Sequence, residues 1–366
     1  MSAAQDWTMD RNRNKARARQ TRIALVSALC AVGLAGCSLG PGSSSGSIQP
    51  SGPGAMETVV DELDAPWSVA WYQDAALISE RDTGRILEIV GDGTREVGVV
   101  PDVVSGGEGG LLGLAVEGND LFVYSGGPDG NRIQRFPLTG SPGSVGIGEP
   151  VTILDDLPQS GNHNGGRIAF GPDGLLYATV GDAGDRDQAQ DPKTLGGTIV
   201  RLTRDGEIPS DNPFEDSPVY SYGHRNPQGL AWAEDGTMYA AEFGQDTWDE
   251  LNIIEPGKNY GWPEVEGRGR GDEFVDPVAQ WSTDEASPSA IAIQGEHLFV
   301  ANLGGESLTR LDLSDPQEST TVVNTVGRVR EVTFSPDNEL LILTNNTDGR
   351  GTPGDGDDKL LQVGDG

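Results

Sequence analysis

The chain is 366 residues long, with 57 acidic against 25 basic side chains and a formal net charge of −32. So acidic a surface repels phosphate backbones, which excludes nucleic acid as a partner, but it selects no other. The only two cysteines are Cys30 and Cys37, so the chain beyond residue 37 has no disulfide and depends on packing or bound metal for stability.

In chain order, the first element reads as an export signal. Arg11, Arg13, Lys15, Arg17, Arg19 and Arg22 face only Asp6 and Asp10. The apolar run that follows, residues 23–35, is too short to span a bilayer. It ends Leu34-Ala35-Gly36-Cys37, which resembles a bacterial lipobox; a plain signal peptide with an incidental cysteine is the alternative. No Arg-Arg pair is present, so the general secretory route is expected. The expected boundaries are 1–36 for a lipoprotein signal peptide, 37–56 for lipidated Cys37 and a flexible Gly/Ser/Pro tether, and 57–366 for the folded domain. The domain would then sit on the outer face of a bacterial cell membrane, held by lipid only.

Six similar units follow. Each opens with a short apolar strand, turns into a second ending in small or acidic residues, and continues into a polar third. The leading strand pairs are 67–71 with 76–80, 111–116 with 120–125, 167–170 with 175–181, 228–232 with 237–242, 289–293 with 297–302, and 329–334 with 339–344. Gly171-Pro172-Asp173-Gly174, Glu234-Asp235-Gly236 and Ser335-Pro336-Asp337-Asn338 are tight-turn sequences that join antiparallel strands. Units of this length and number predict an all-β fold, a six-bladed β-propeller with four-stranded antiparallel blades. Residues 57–63 are expected to pair beside the last blade and close the ring.

Residues that break a repeat carry its function, and they are densest over 161–263. Three motifs stand there in order: His163-Asn164-Gly165-Gly166-Arg167, then Gly223-His224-Arg225-Asn226-Pro227-Gln228-Gly229, then Asp249-Glu250-Leu251-Asn252 with Asn259-Tyr260-Gly261-Trp262-Pro263. With Pro66-Trp67 and Gly109-Gly110-Leu111-Leu112-Gly113 upstream, they resemble the soluble quinoprotein glucose dehydrogenase and aldose sugar dehydrogenase family over essentially the whole domain.

That resemblance implies a sugar dehydrogenase that oxidises the C1 hydroxyl of aldoses to lactones by hydride transfer to PQQ, with calcium as second cofactor. It implies His163 as general base, Asp249 as the carboxylate that orients it, and Arg225 as the cation opposite developing negative charge. Asn226 and Glu108 fall at cofactor contacts, and Arg328 and Arg330 at a pair that grips cofactor carboxylates. Calcium would take the carbonyls of Gly244 and Gln245, and a further ion the Glu250 carboxylate and Tyr260 carbonyl.

The sequence departs from the family's pattern with Gln245 where Pro is usual and Glu108 where the glucose dehydrogenase has Gln. It also lacks a lysine near Gly304. Missing substrate-loop insertions favour the shorter aldose type. His224 reads as structural, His297 as strand surface, Trp248 and Trp262 as packing, and loop 348–358 as solvated turn. Two alternatives stand beside the dehydrogenase: a non-catalytic propeller lipoprotein that binds glycan or protein, and a calcium-dependent lactonase. The sugar and the electron acceptor are not specified by the sequence.

Overall fold

A computed structural model describes residues 55–364 except Arg270 and Asp272. The expected signal peptide, Cys37 and all but the end of the tether lie outside the described residues.

Every blade begins with an inner strand and runs outward by antiparallel neighbours. The inner strands are Pro66–Tyr72, Leu111–Glu117, Ile168–Phe170, Pro227–Trp232, Pro288–Gln294 and Val329–Phe334. They touch one another in cyclic order, the last against the first, so the six sheets form a closed ring. The second blade carries an additional short strand, Gly146–Ile147, beside its third. No α-helix occurs among the described residues, only a 3-10 turn at Arg186–Gln190.

The turns are built as their sequences require. Asp173 Oδ1 accepts the Leu175 N–H at 3.1 Å while Gly174 takes φ +74°. Asn338 adopts φ +69°, a left-handed conformation that Asn tolerates.

Strands buried on both faces supply one apolar cluster per blade interface, six in all. The ring closes as expected: Met56–Val60 pairs antiparallel with Leu360–Val363. Val60 and the neighbouring Leu63 pack among Val69, Ile78, Leu341 and Leu343 at the seam between last and first blades. Each such side chain contributes about 1.5–3 kcal/mol by burial, so the ring is latched by contacts remote in sequence.

Candidate active site

Antiparallel order puts the start of every inner strand and the end of every second strand at the same mouth of the ring. Glu108, His163, Arg225, Asn226 and Arg328 all lie in the loops that lead into inner strands. Arg81, Asp182, Gly244, Leu303 and Asp348 follow second strands. The repeat itself thus gathers side chains scattered over the sequence.

His163 is held from every side. Its backbone is left-handed, φ +53°, its N–H donates to Glu108 Oε2 at 2.9 Å, and its carbonyl accepts the Ala183 N–H at 3.1 Å. Only glycine fits opposite, because a Cβ on Gly181 would lie 2.0 Å from the His163 carbonyl oxygen. The ring Nδ1 meets Asp182 Oδ1 at 2.6 Å. Asp182 Oδ1 also accepts the Gly184 N–H, and Oδ2 accepts the Trp262 indole N–H, both at 2.8 Å. Burial pushes the Asp182 carboxyl up, but His163 and the Gly184 and Trp262 donors outweigh it and hold the group below the ordinary carboxylate range. An ionised Asp182 keeps the proton of a neutral imidazole on Nδ1 and leaves the Nε2 lone pair as an acceptor. In that tautomer Nε2 accepts a long hydrogen bond from the Asn162 amide nitrogen, 3.4 Å away.

This corrects the expected pairing of His163 with Asp249. Asp249 lies on a third strand of the next blade, Trp248–Ile254, where Oδ1 accepts the Gly244 N–H at 2.8 Å and Oδ2 the Ser287 N–H at 2.6 Å. It braces the Gly244 loop, and burial pushes its carboxyl up to about 6. Asp182 follows the second strand of the blade that His163 opens, so it is the carboxylate within reach.

Arg225 is joined to this pair. Its carbonyl accepts the Asp182 N–H at 2.9 Å, its guanidinium carbon lies 5.5 Å from the Trp262 ring centroid, and Nη2 donates to Gln245 Oε1 at 2.7 Å. The side chain of Gln245 is thereby committed to Arg225. Beside it, Asn226 Oδ1 accepts the Gly165 N–H at 3.0 Å, while the buried Nδ2 has no partner.

Arg328 donates to Asp348 Oδ2 at 3.1 Å and Arg330 to Gln228 Oε1 at 2.6 Å; the Nε of each is buried and unpaired. Burial, together with Arg328, Arg81 and Arg167, depresses Arg330 to about 9 despite Asp348. Arg81 chelates Asp82 at 2.7 and 2.8 Å and reaches the Asp348 carbonyl at 3.3 Å. Arg167 and Arg330 both lie over Trp67, at 4.5 and 5.3 Å. A concentration of buried guanidinium groups in so acidic a chain is an anion-binding cradle.

The remaining expectations divide. Glu108 turns one carboxylate oxygen to His163 and the other to Arg350, 2.9 Å away. Gly244, Glu250 and Tyr260 line one small pocket together with Glu242 and Glu266. Burial and the neighbouring Glu242 carboxylate push Glu250 upward. Among the described residues no three His, Cys, Asp or Glu side chains form a metal-binding group, so carbonyl oxygens would have to complete any ion's shell. His224 is structural: it bridges Ser221 and Glu242 at 2.9 Å each and stacks on Tyr260. Loop 348–358 is more than solvated turn, since Asp358 is fully buried and bonded to Thr344, Asn346 and Thr347. Trp262 is buried as packing, yet it also donates to Asp182.

Fold and site together define a six-bladed propeller that gathers an imidazole bonded to a buried carboxylate and a cluster of buried guanidinium groups among the loops of one mouth. The chain belongs to the glucose/sorbosone dehydrogenase family, whose model matches residues 63–353. It is 30% identical over 351 residues to the aldose sugar dehydrogenase YliI of Escherichia coli, covering 80% of this chain and 91% of that protein. It is 34% identical over 253 residues to quinoprotein glucose dehydrogenase B of Acinetobacter calcoaceticus, 58% of this chain and 52% of that one. A solved PQQ-bound aldose sugar dehydrogenase from Streptomyces coelicolor superposes with a TM-score of 0.80 at 44% identity, covering 86% of this chain and 99% of its own.

Proposed function

We propose that this chain is an exported, lipid-anchored quinoprotein that oxidises aldoses at C1 to lactones, using PQQ and calcium. The observation that carries the reading is the His163–Asp182 hydrogen bond, which leaves on Nε2 only a long contact from Asn162, in a loop of the mouth that also holds Arg225 and Arg328. The PQQ-bound Streptomyces coelicolor relative and the quinoprotein of Acinetobacter calcoaceticus support the choice of cofactor.

The residues present fit that cofactor. Unpaired Nε groups on Arg328 and Arg330 and the unpaired Asn226 Nδ2 are donors without acceptors, suited to a rigid molecule bearing carboxylates and carbonyl oxygens. Arg81, chelated by Asp82 and reaching the Asp348 carbonyl, adds a further guanidinium to the same cluster. When bound, PQQ supplies the two-electron acceptor for the hydride that leaves C1 of the sugar. His163 Nε2 takes the C1 hydroxyl proton as the carbonyl of the lactone forms. Asp182 stabilises the resulting imidazolium, as a buried carboxylate does beside a histidine base. Arg225, fixed by Gln245 and Phe243, offers a preorganised cation for negative charge that develops opposite.

Calcium suits hard oxygen donors. The carbonyls of Gly244 and Gln245 would hold one ion, and Glu250 with the Tyr260 carbonyl a second, whose charge would relieve the Glu242–Glu250 repulsion. Cys37 would carry the lipid. A purely glycan-binding role has no use for an imidazole held by a left-handed backbone and fixed on a buried carboxylate.

Purified protein given calcium, PQQ and an aldose should reduce an electron-accepting dye, and His163→Ala should abolish this. Absence of dye reduction with every aldose tried would reject the proposal.

A further inference from the structure

We propose that Trp262 is a positioning residue that ties the His163–Asp182 base to Arg225, so that the state of one is felt by the other. The inference rests on the dehydrogenase reading above for its meaning, though not for its geometry.

The indole occupies a place that touches both groups. Its N–H donates to Asp182 Oδ2 at 2.8 Å, while Oδ1 of the same carboxylate serves His163. The Arg225 guanidinium carbon lies 5.5 Å from the ring centroid and that of Arg186, from the 3-10 turn, 4.6 Å. Cations over an indole face are attracted by its quadrupole.

Its backbone is fixed as firmly. The Trp262 N–H donates to the Gly223 carbonyl at 2.9 Å, and its own carbonyl accepts from Gln190 Nε2 at 2.6 Å. Gly261 takes φ +94°, and a Cβ there would press on Val265 at 3.1 Å. A residue needed only to fill space would not require its N–H aimed at a carboxylate already bonded to the base.

The charged groups around the unit are Asp182, Glu108 behind the His163 amide, Arg186 and Arg225 over the ring, and Glu242 and Glu266 beside Arg225. The indole N–H draws negative charge from Oδ2. Without it the carboxylate attracts a proton on His163 more strongly, so the base is lost at higher pH. Outer partners of metal-ligating histidines commonly contribute 10- to 100-fold, and the indole stands in the same relation to the His163 imidazole through Asp182.

Two measurements test this. In Trp262→Phe, kcat should fall by about 10-fold with little change in sugar KM, and the acid limb of the pH–rate profile should move upward by about half a pH unit, the size of one shared hydrogen bond. In the wild-type calcium-loaded apoprotein, the Trp262 indole N–H proton resonance should shift with pH in step with the ring nitrogens of His163. The chain has seven Trp and three His, so both signals can be assigned from the Trp262→Phe and His163→Asn spectra, or by through-bond connectivity should a variant not fold. Asp182→Asn should flatten the indole response. An indole signal that stays constant while the imidazole titrates, or a Phe variant with the wild-type pH profile, overturns the coupling. Co-titration in a protein that oxidises no sugar would uphold the coupling and defeat the dehydrogenase reading alone.

Discussion

Asp182 Oδ1 stands 2.6 Å from Nδ1 of His163, on a loop of the same blade and 19 residues further along the chain. With Gly184 and Trp262 also donating to it, three of this carboxylate's roughly four acceptor sites are filled, and its burial keeps solvent away. Its task is to set the tautomer and direction of one imidazole.

Asp182→Asn should therefore keep the fold and lose activity. An amide in place of the carboxylate favours the wrong imidazole tautomer, and kcat should drop by roughly 10²- to 10⁴-fold with cofactor binding retained. Asp249→Asn should do the reverse in part: one of the N–H groups of Gly244 and Ser287 loses its acceptor, costing about 1–3 kcal/mol of stability, while the His163–Asp182 pair stays intact. Parallel thermal melts and steady-state kinetics separate the two.

Arg330 is an unfavourable residue in the cradle taken by itself. Burial and three neighbouring guanidinium groups depress its pKa to about 9, from an ordinary value well above that. Replacing a buried, under-compensated charge by an apolar side chain is often neutral or stabilising. Arg330→Met should leave the melting temperature of the apoprotein unchanged or raised, and weaken PQQ binding by 10-fold or more, about 1.4 kcal/mol. Absorbance titration and calorimetry read the two effects, and a variant that melts lower yet binds PQQ normally would contradict the role.

Glu108 places a carboxylate between His163 and Arg350. Glu108→Gln retains an acceptor for the His163 N–H and removes one negative charge from the neighbourhood of Arg81, whose field it feels. PQQ affinity should rise and kcat fall by only a few-fold, because the imidazole support survives. A titration with PQQ and a kcat measurement on the same preparation check both halves.

Glu250 is pushed up by burial and by Glu242. A carboxyl whose folded pKa is raised contributes stability that is full below its unfolded value near 4.3 and is lost as pH rises through the folded one. The calcium-free protein should accordingly melt at progressively lower temperature between pH 5 and 8. Calcium, by neutralising the pair, should raise the melting temperature more at pH 8 than at pH 5, and chelation should reverse this. Equal calcium effects at both pH values would count against ion binding at Glu250.

The ring was legible because its units repeat: turn sequences such as Gly171-Pro172-Asp173-Gly174 mark the same joint in the third, fourth and sixth blades, and the closing strand falls where the expected segment lies. The additional strand Gly146–Ile147 belongs to no repeat. Of the site, His163, Arg225 and Asn226 stand out as breaks in the pattern, whereas Arg328 and Arg330 are singled out only by the family resemblance. Asp182 does not stand out, since Gly181-Asp182-Ala183-Gly184 reads as an ordinary turn; the signal available was that second strands end at the same mouth where inner strands begin. Asp249 drew attention through its motif neighbours, yet a motif carries no information about which loop lies across the channel. Arg81, flanked by Glu80 and Asp82, reads as solvated charge until the ring closes and turns it toward Asp348.

The most direct test is rapid-mixing absorbance of the protein loaded with PQQ and calcium, mixed with an aldose bearing hydrogen or deuterium at C1. Wild type should show cofactor reduction in a phase slowed by the deuterium, and Asp182→Asn should slow that phase by at least 10²-fold. Cofactor that stays oxidised with every aldose, or an Asp182→Asn variant that reduces it at the wild-type rate, would contradict the assignment of His163 and Asp182 as the base that starts the reaction.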